Sequence, residues 1–405
     1  MPRIIPIVPA GPSASGPQTG GGAGEFLAPP PLSLYVHIPW CVRKCPYCDF
    51  NSHEARAEIP EAEYLTALEA DIVAALPLVW GRRIVSVFFG GGTPSLLSAT
   101  GLDRLLTTIR TLLPLQPDAE ITLEANPGTA EAGKFAAFRA AGVNRLSLGI
   151  QSFADRHLHA LGRIHDGDEA RRAIELAARH FDNFNLDLMY GLPGQSLDEA
   201  LADVDAALSF APTHLSCYQL TLEPNTAFAA APPELPEADR CADMQEAIEA
   251  RLAAAGFTHY ETSAFARPGR QCRHNLNYWQ FGDYLGIGAG AHGKLTLHDG
   301  VRRQMRWKQP KQYLAQIAAG QPLQDEFTVA ADDLPFEFMM NALRLTQGFD
   351  PALYAERTAQ PLIGIEAQLR AAEADGLLER TPGRIAPTLR GQRYLNRLLQ
   401  SFLAE

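Results

Sequence analysis

Long apolar runs are missing from this 405-residue chain. No stretch approaches the roughly 18 residues that a membrane span requires, which excludes an integral membrane helix. Basic charge is also short: 35 Lys and Arg face 46 Asp and Glu, a formal net charge of −11. That balance argues against a dedicated nucleic-acid binder, which needs a surplus of cations for phosphate contacts. Cysteine is scarce, with six in the whole chain, so a disulfide scaffold is excluded as well. Pro6 and Pro9 interrupt the only apolar stretch near the start, leaving no hydrophobic segment of a secretory signal. A reducing cytoplasm is the resulting expectation, and there clustered cysteines point to metal or catalysis.

At about 150 residues per domain, two or three domains are expected. Residues 1–30 are rich in Gly, Pro, Ala and Ser without hydrophobic periodicity, which predicts a disordered tail. From Ser33 onward, apolar runs at 33–38, 84–89, 119–125, 145–150, 184–190 and 214–220 read as strands. Amphipathic helical patterns, such as 61–76, 102–113 and 197–210, lie between them. Strand then helix, repeated about six times, predicts an α/β fold with a parallel sheet. Most strand candidates end in chemically distinctive strings: HIPWC, GGGTP, EANP, GIQSF and DLMYGLPGQ. Functional groups at several strand ends favour a TIM-like partial (β/α)6 barrel over a doubly wound sheet with one switch point. The barrel is expected over 31–265 and a connecting region over 266–333. A small winged-helix-like domain is expected over 334–405, reading helix, helix, β-hairpin, terminal helix.

The sharpest chemical signal is YVHIPWCVRKCPYCDFNSH, residues 35–53. It places Cys41, Cys45 and Cys48 as C-x3-C-x2-C just after the first strand. Three thiolates in one loop can hold three irons of a [4Fe–4S] cube and leave the fourth open. A structural zinc site is the competing reading, with His37 or His53 as the fourth ligand. GGGTPS at 90–95 follows the second strand, and glycine there lets backbone approach a ligand without a Cβ in the way. GIGAGAHG at 286–293 contains a G-x-G-x-x-G match from Gly288, but a dinucleotide site needs a helix after it. LTLHDGVRR follows instead and reads as a hairpin turning at Asp299-Gly300, so that site is rejected. RRQMRWKQPK at 302–311 carries five cations. It reads first as a solvated charged loop, and second as a contact for a carboxylate or another anionic partner.

Taken together, C-x3-C-x2-C and GGGTPS resemble the radical S-adenosylmethionine (SAM) superfamily. HIPWCVRKCPYCDFNSH, FFGGGTPSLL, GIQSF, DLMYGLPGQ, YETSAFARPG, CRHNLNYW and GAGAHGK, in that order, resemble the family of oxygen-independent coproporphyrinogen III oxidase. Within it they are most similar to the heme chaperone branch, over nearly the whole chain from Leu34. In the oxidase branch another cysteine stands two residues after the third ligand. Here that position is Phe50, and no counterpart of the oxidase's longer N-terminal segment precedes the motif.

The resemblance implies that Cys41, Cys45 and Cys48 hold a [4Fe–4S] cluster whose open iron takes the SAM methionine moiety. It implies Tyr47 near the adenine, Gly91, Gly92 and Thr93 along the SAM site, and Glu124 on the amino group or ribose. Gln151, Arg163 and Asp187 match further pocket positions, and Tyr35 is expected to face the same site. In CRHNLNYW, His274 is the expected axial ligand for heme iron, with Cys272 competing. Asn275 and Tyr278 are expected heme contacts, with Trp279 beside Tyr278 as a further apolar wall. The implied function is binding heme and delivering it to respiratory acceptor proteins, leaving open a peripheral membrane contact and a homodimer. The alternative is oxidative decarboxylation of coproporphyrinogen propionates through a 5′-deoxyadenosyl radical. A zinc-binding regulator using the C-terminal domain on DNA is the outside reading.

Overall fold

The computed structural model describes residues 26–55, 58–128 and 133–403. Most of the expected disordered tail, residues 1–25, therefore lies outside the described residues. Six parallel strands form the centre: β1 (Leu32–Ile38), β2 (Ile84–Gly91), β3 (Leu115–Ala125), β4 (Arg145–Gln151), β5 (Phe184–Tyr190) and β6 (His214–Gln219). They neighbour one another in strict sequence order. A doubly wound sheet reverses its order at a switch point; this one does not, and the architecture is the α/β partial barrel.

The sheet continues on both sides. Beyond β6 lies β8 (Ala264–Ala266), antiparallel to it, and then β7 (Thr258–Glu261), antiparallel to β8. Before β1 come β9 (Asp283–Ile287), β10 (His292–Leu297), β11 (Gly300–Arg306) and β12 (Leu323–Thr328). Residues 266–333, expected to connect, thus add four strands to the sheet. β9 runs parallel to β1 although no repeat precedes it, which the loss of periodicity had hidden. β10 and β11 are the expected hairpin, with Leu297 paired to Gly300 across the turn.

Each central strand alternates two environments. On β1, Leu34, Val36 and Ile38 are buried in the main apolar core with Leu65, Leu68 and Ile72 of the helix Glu61–Val79. The opposite face carries Ser33, Tyr35 and His37, beside Ser86, Phe88 and Gly90 of β2. That inner face is polar across the sheet: Glu120, Thr122 and Glu124 on β3, Arg145 and Ser147 on β4, Asn185 and Asp187 on β5, His214 and Ser216 on β6. Helices Gly167–His180 and Leu197–Ser209 both start with a capping box, from Asp166 with Glu169 and from Ser196 with Glu199. These reciprocal bonds fix where the chain stops being loop and starts returning.

The segment 302–311 is not a solvated loop. Residues 302–306 belong to β11, and the Arg306 guanidinium is buried 3.1 Å from Asp71. Asp71 also accepts from Tyr313 Oη at 2.9 Å and from the Gly288 amide at 3.1 Å. Arg303 pairs with Glu337 and with Tyr284 Oη. Both guanidiniums are therefore engaged inside the fold, where counting charges along the sequence had placed them in water.

The C-terminal unit has its own core of Phe338, Met339, Phe349, Tyr354, Leu369 and Leu398. It contains one helix more than the pattern suggests, Pro351–Thr358, capped by Asp350 with proline at the first turn. The expected terminal helix is broken into Leu389–Arg393 and Leu395–Gln400 at Tyr394. The hairpin Leu378–Thr381 with Arg384–Pro387 stands where a wing was expected.

Replacing Arg306 by Met strands a buried carboxylate, so unfolding free energy should drop by about 3 kcal/mol or more. A denaturant titration checks this; a loss below about 1 kcal/mol would show that the pair contributes little.

Candidate functional site

The cysteine loop is closed and tied down by its ends. Trp40–Cys41 and His53–Glu54 form a two-residue parallel ladder. Asn51 then donates through Nδ2 to the carbonyls of Ala289 (3.0 Å) and Lys308 (2.9 Å). Its own carbonyl accepts from His37 Nε2 at 3.0 Å, and His37 Nδ1 accepts from Tyr35 Oη at 2.9 Å. Burial pushes the His37 pKa down to about 4, so the ring is neutral and this arrangement fixes its tautomer. A Cβ on Gly290, at φ +81°, would meet Asn51 Nδ2 at 2.1 Å. The GAGAHG turn is thus a buttress for the cysteine loop.

Each of the three sulfurs has a polar neighbour. Thr93 Oγ1 donates to Cys41 Sγ at 3.5 Å, Arg163 Nη1 to Cys45 Sγ at 3.6 Å, and Cys48 Sγ pairs with Ser52 Oγ at 3.7 Å. Donors of this kind tune thiolates on iron. Burial pushes the Cys41 and Cys48 thiols up, so a bound cation is what would hold them as thiolates. Among the described residues, the ligand atoms of Glu120, Cys272 and His274 lie within 4.8 Å of one another. Neither His37 nitrogen is available as the fourth zinc ligand, whereas His53 Nε2 is buried with no hydrogen-bond partner.

The cysteines open onto a cavity of about 390 Å³ at the C-terminal ends of β2 to β6. Cys41, Cys45, Tyr47, Cys48, Gly91, Gly92, Thr93, Glu124, Gln151, Arg163 and Asp187 all line it. Tyr35 does not; it acts one step behind, through His37. The glycines are required by the protein itself. A Cβ on Gly91 would meet the His37 ring at 2.5 Å, and one on Gly92 the Trp40 carbonyl at 2.5 Å. Gln151 adopts φ +69° at the register shift between β4 and β5, a conformation uncommon outside glycine that aims its side chain into the cavity. Burial, reinforced by the Asp187 charge, raises the Glu124 pKa to about 8. Asp187 is raised too, by burial, against bonds from Asn185 and Ser147. Tyr47 packs toward Leu161, Met189 and Leu220, with Phe228 at 6.4 Å between ring centroids.

The CRHNLNYW segment lies elsewhere. His274, on the helix Arg273–Trp279, is buried and stacked on Phe88 with centroids 4.0 Å apart. Its Nδ1 lies 2.9 Å from Cys272 Sγ and 3.4 Å from Glu120 Oε1. Asn275 and Tyr278 are half-buried, Tyr278 edge-on to Tyr284 at 4.8 Å. None of the three lines the cavity.

The radical SAM superfamily pattern matches residues 35–207, and the HemN C-terminal domain pattern matches residues 329–394. Heme chaperone HemW of Escherichia coli is 49% identical over 378 residues, covering 93% of this chain and 99% of that protein. Heme chaperone HemW of Haemophilus influenzae is 47% identical, covering 93% and 99%. The chain belongs to the HemW family. A solved radical SAM enzyme, coproporphyrinogen III oxidase HemN of Escherichia coli, superposes with a TM-score of 0.78 at 26% identity. That match covers 92% of this chain and 90% of HemN.

Against this HemW frame, sequence reasoning missed several polar wall residues, Asn126, Ser147 and Tyr218 among them. Asn126 links Thr93 (2.9 Å) to Arg163 (2.6 Å) and so joins two sulfur donors; the EANP string at the end of β3 was its signal. Ser147 and Tyr218 also line the cavity, but a serine or tyrosine within an apolar strand carries no distinguishing pattern.

Below about pH 4.5 Glu124 is protonated in folded and unfolded chains alike. As pH rises toward 8 the unfolded chain ionises first, so this residue lowers stability across that window. In ligand-free protein, Glu124→Gln should therefore gain melting temperature over wild type as pH climbs from 4.5 to 8. A difference that stays constant with pH would show that Glu124 titrates normally.

Proposed function

We propose that this chain is a cytoplasmic heme chaperone that binds heme and passes it to respiratory acceptor proteins. A [4Fe–4S] cluster on Cys41, Cys45 and Cys48 and SAM in the adjoining cavity accompany that role. The observation that carries the cofactor assignment is the cysteine trio, each sulfur beside a polar group, opening onto a cavity with buried carboxyls. The heme assignment rests on the relatives named heme chaperones and on the CRHNLNYW segment.

When bound, a [4Fe–4S] cluster with one open iron supplies an electron and a coordination site for SAM. The chain's own residues divide the remaining work. Thr93, Arg163 and Ser52 hold the sulfurs, and Asn126 orients two of those three. Glu124 and Asp187 accept from the donors of a bound nucleoside or amino group, while Tyr47 offers an apolar wall. His274 supplies the nitrogen for heme iron, with Asn275 and Tyr278 flanking it, after its ring leaves Phe88. The −11 charge argues against a nucleic-acid partner.

Anaerobic reconstitution with iron and sulfide should give a brown protein whose visible absorption bleaches on reduction. Ala at Cys41, Cys45 or Cys48 should abolish it; colourless protein containing zinc would overturn the cluster. Hemin should produce a Soret shift that His274→Ala weakens at least tenfold, and no shift in wild type would sink the heme reading. The likeness to HemN favours porphyrinogen decarboxylation as the second reading, against which stands Phe50. Protoporphyrinogen formed from coproporphyrinogen by reconstituted protein would decide for it.

A further inference from the structure

The inner face of the sheet contains one hydrogen-bonded chain that runs from the cavity to the CRHNLNYW segment. At the cavity end, Asp187 accepts from Ser147 Oγ (3.1 Å) and from Asn185 Nδ2 (2.8 Å). Asn185 Nδ2 also reaches Ser147 Oγ at 2.8 Å. With its amide nitrogen so engaged, Asn185 must present Oδ1 on the other side, where His214 Nδ1 lies at 2.7 Å and Ser216 Oγ at 3.1 Å. His214 Nδ1 is therefore the protonated nitrogen, and Nε2 accepts from Tyr260 Oη at 2.8 Å. Tyr260 Oη in turn accepts from the Cys272 amide at 3.2 Å. Cys272 Sγ touches His274 Nδ1. The donors all point one way, from the helix of His274 toward the carboxylate of Asp187.

At the far end, Glu120 Oε1 lies 3.4 Å from His274 Nδ1 and accepts from the Arg273 amide at 3.0 Å.

We propose that His214 is a positioning residue that couples ligand binding in the cavity to heme binding at His274. The inference rests on the heme reading given above. His274 is buried, with Nδ1 held between Cys272 Sγ and Glu120 Oε1, so a macrocycle reaches the ring only if the helix Arg273–Trp279 shifts. That shift breaks the bond from the Cys272 amide to Tyr260. A ligand that donates to Asp187 competes with Ser147 and Asn185, frees the amide to turn, and removes the acceptor that orients His214. Each ligand thus loosens the same chain from a different end, and each should favour the other. The buried groups between must move together, because a lone reversal would set donor against donor.

The test uses the full chain with its cluster reconstituted anaerobically. Hemin is titrated by Soret absorbance with and without saturating SAM, in wild type and in Tyr260→Phe, which deletes only the linking hydroxyl. His214→Phe serves as the second variant. SAM should tighten hemin binding at least fivefold in wild type and less than twofold in Tyr260→Phe. Hemin should tighten SAM by the same factor in wild type, as linkage requires. Equal SAM responses in wild type and Tyr260→Phe, or none in wild type, would overturn the coupling and leave the heme reading standing. Absence of hemin binding to wild type under either condition would overturn the heme reading itself.

Discussion

Everything in this molecule depends on a sheet whose inner face is polar and must be satisfied from within. The parallel repeat could close around an apolar interior of branched side chains, as barrels commonly do. Here carboxyls, an amide, an arginine and two histidines occupy those inward positions instead. Buried polar groups are expensive unless bonded, so each inward residue constrains its neighbours on the adjacent strands. The consequence is a rigid floor whose hydrogen-bond directions are determined before any ligand arrives.

On that floor the cysteine loop is the least regular piece of the central unit, and it is held by contacts distant in sequence. Asn51 reaches residues 289 and 308, more than 230 positions away. The region added after the parallel repeat is therefore part of the site, since the turn between β9 and β10 and the segment after β11 carry the two carbonyls that receive the Asn51 amide. The GAGAHG turn, which a motif search offers as a nucleotide loop, serves as a shelf. Glycine is needed there because Asn51 occupies the space of a Cβ.

Much of this was legible beforehand. The cysteine spacing, the strand-end strings and the six-fold alternation are local features, and local features survive in a sequence. What escaped is non-local. Tyr35 was expected at the ligand and instead orients His37. Arg303 and Arg306 were assigned to solvent because their partners, Glu337 and Asp71, lie far off in the chain. His274 was recognisable as an unusual histidine, but its stacking on Phe88 depends on how a helix folds back over β2, which no periodicity encodes. Asn126 had a signal in its position at a strand end, and only contact with Arg163 gives it meaning.

The edge strand β12, Leu323–Thr328, bears on how copies of the chain can meet. Nearly all its residues are exposed, and it pairs with β11 on one side only, so it forms an edge of the sheet. An open edge invites another chain to add a strand, the usual route to uncontrolled assembly. Asp325 and Glu326 sit in the middle of that edge. Two copies meeting there would bring acidic side chains together, and that repulsion works against propagation of the open sheet.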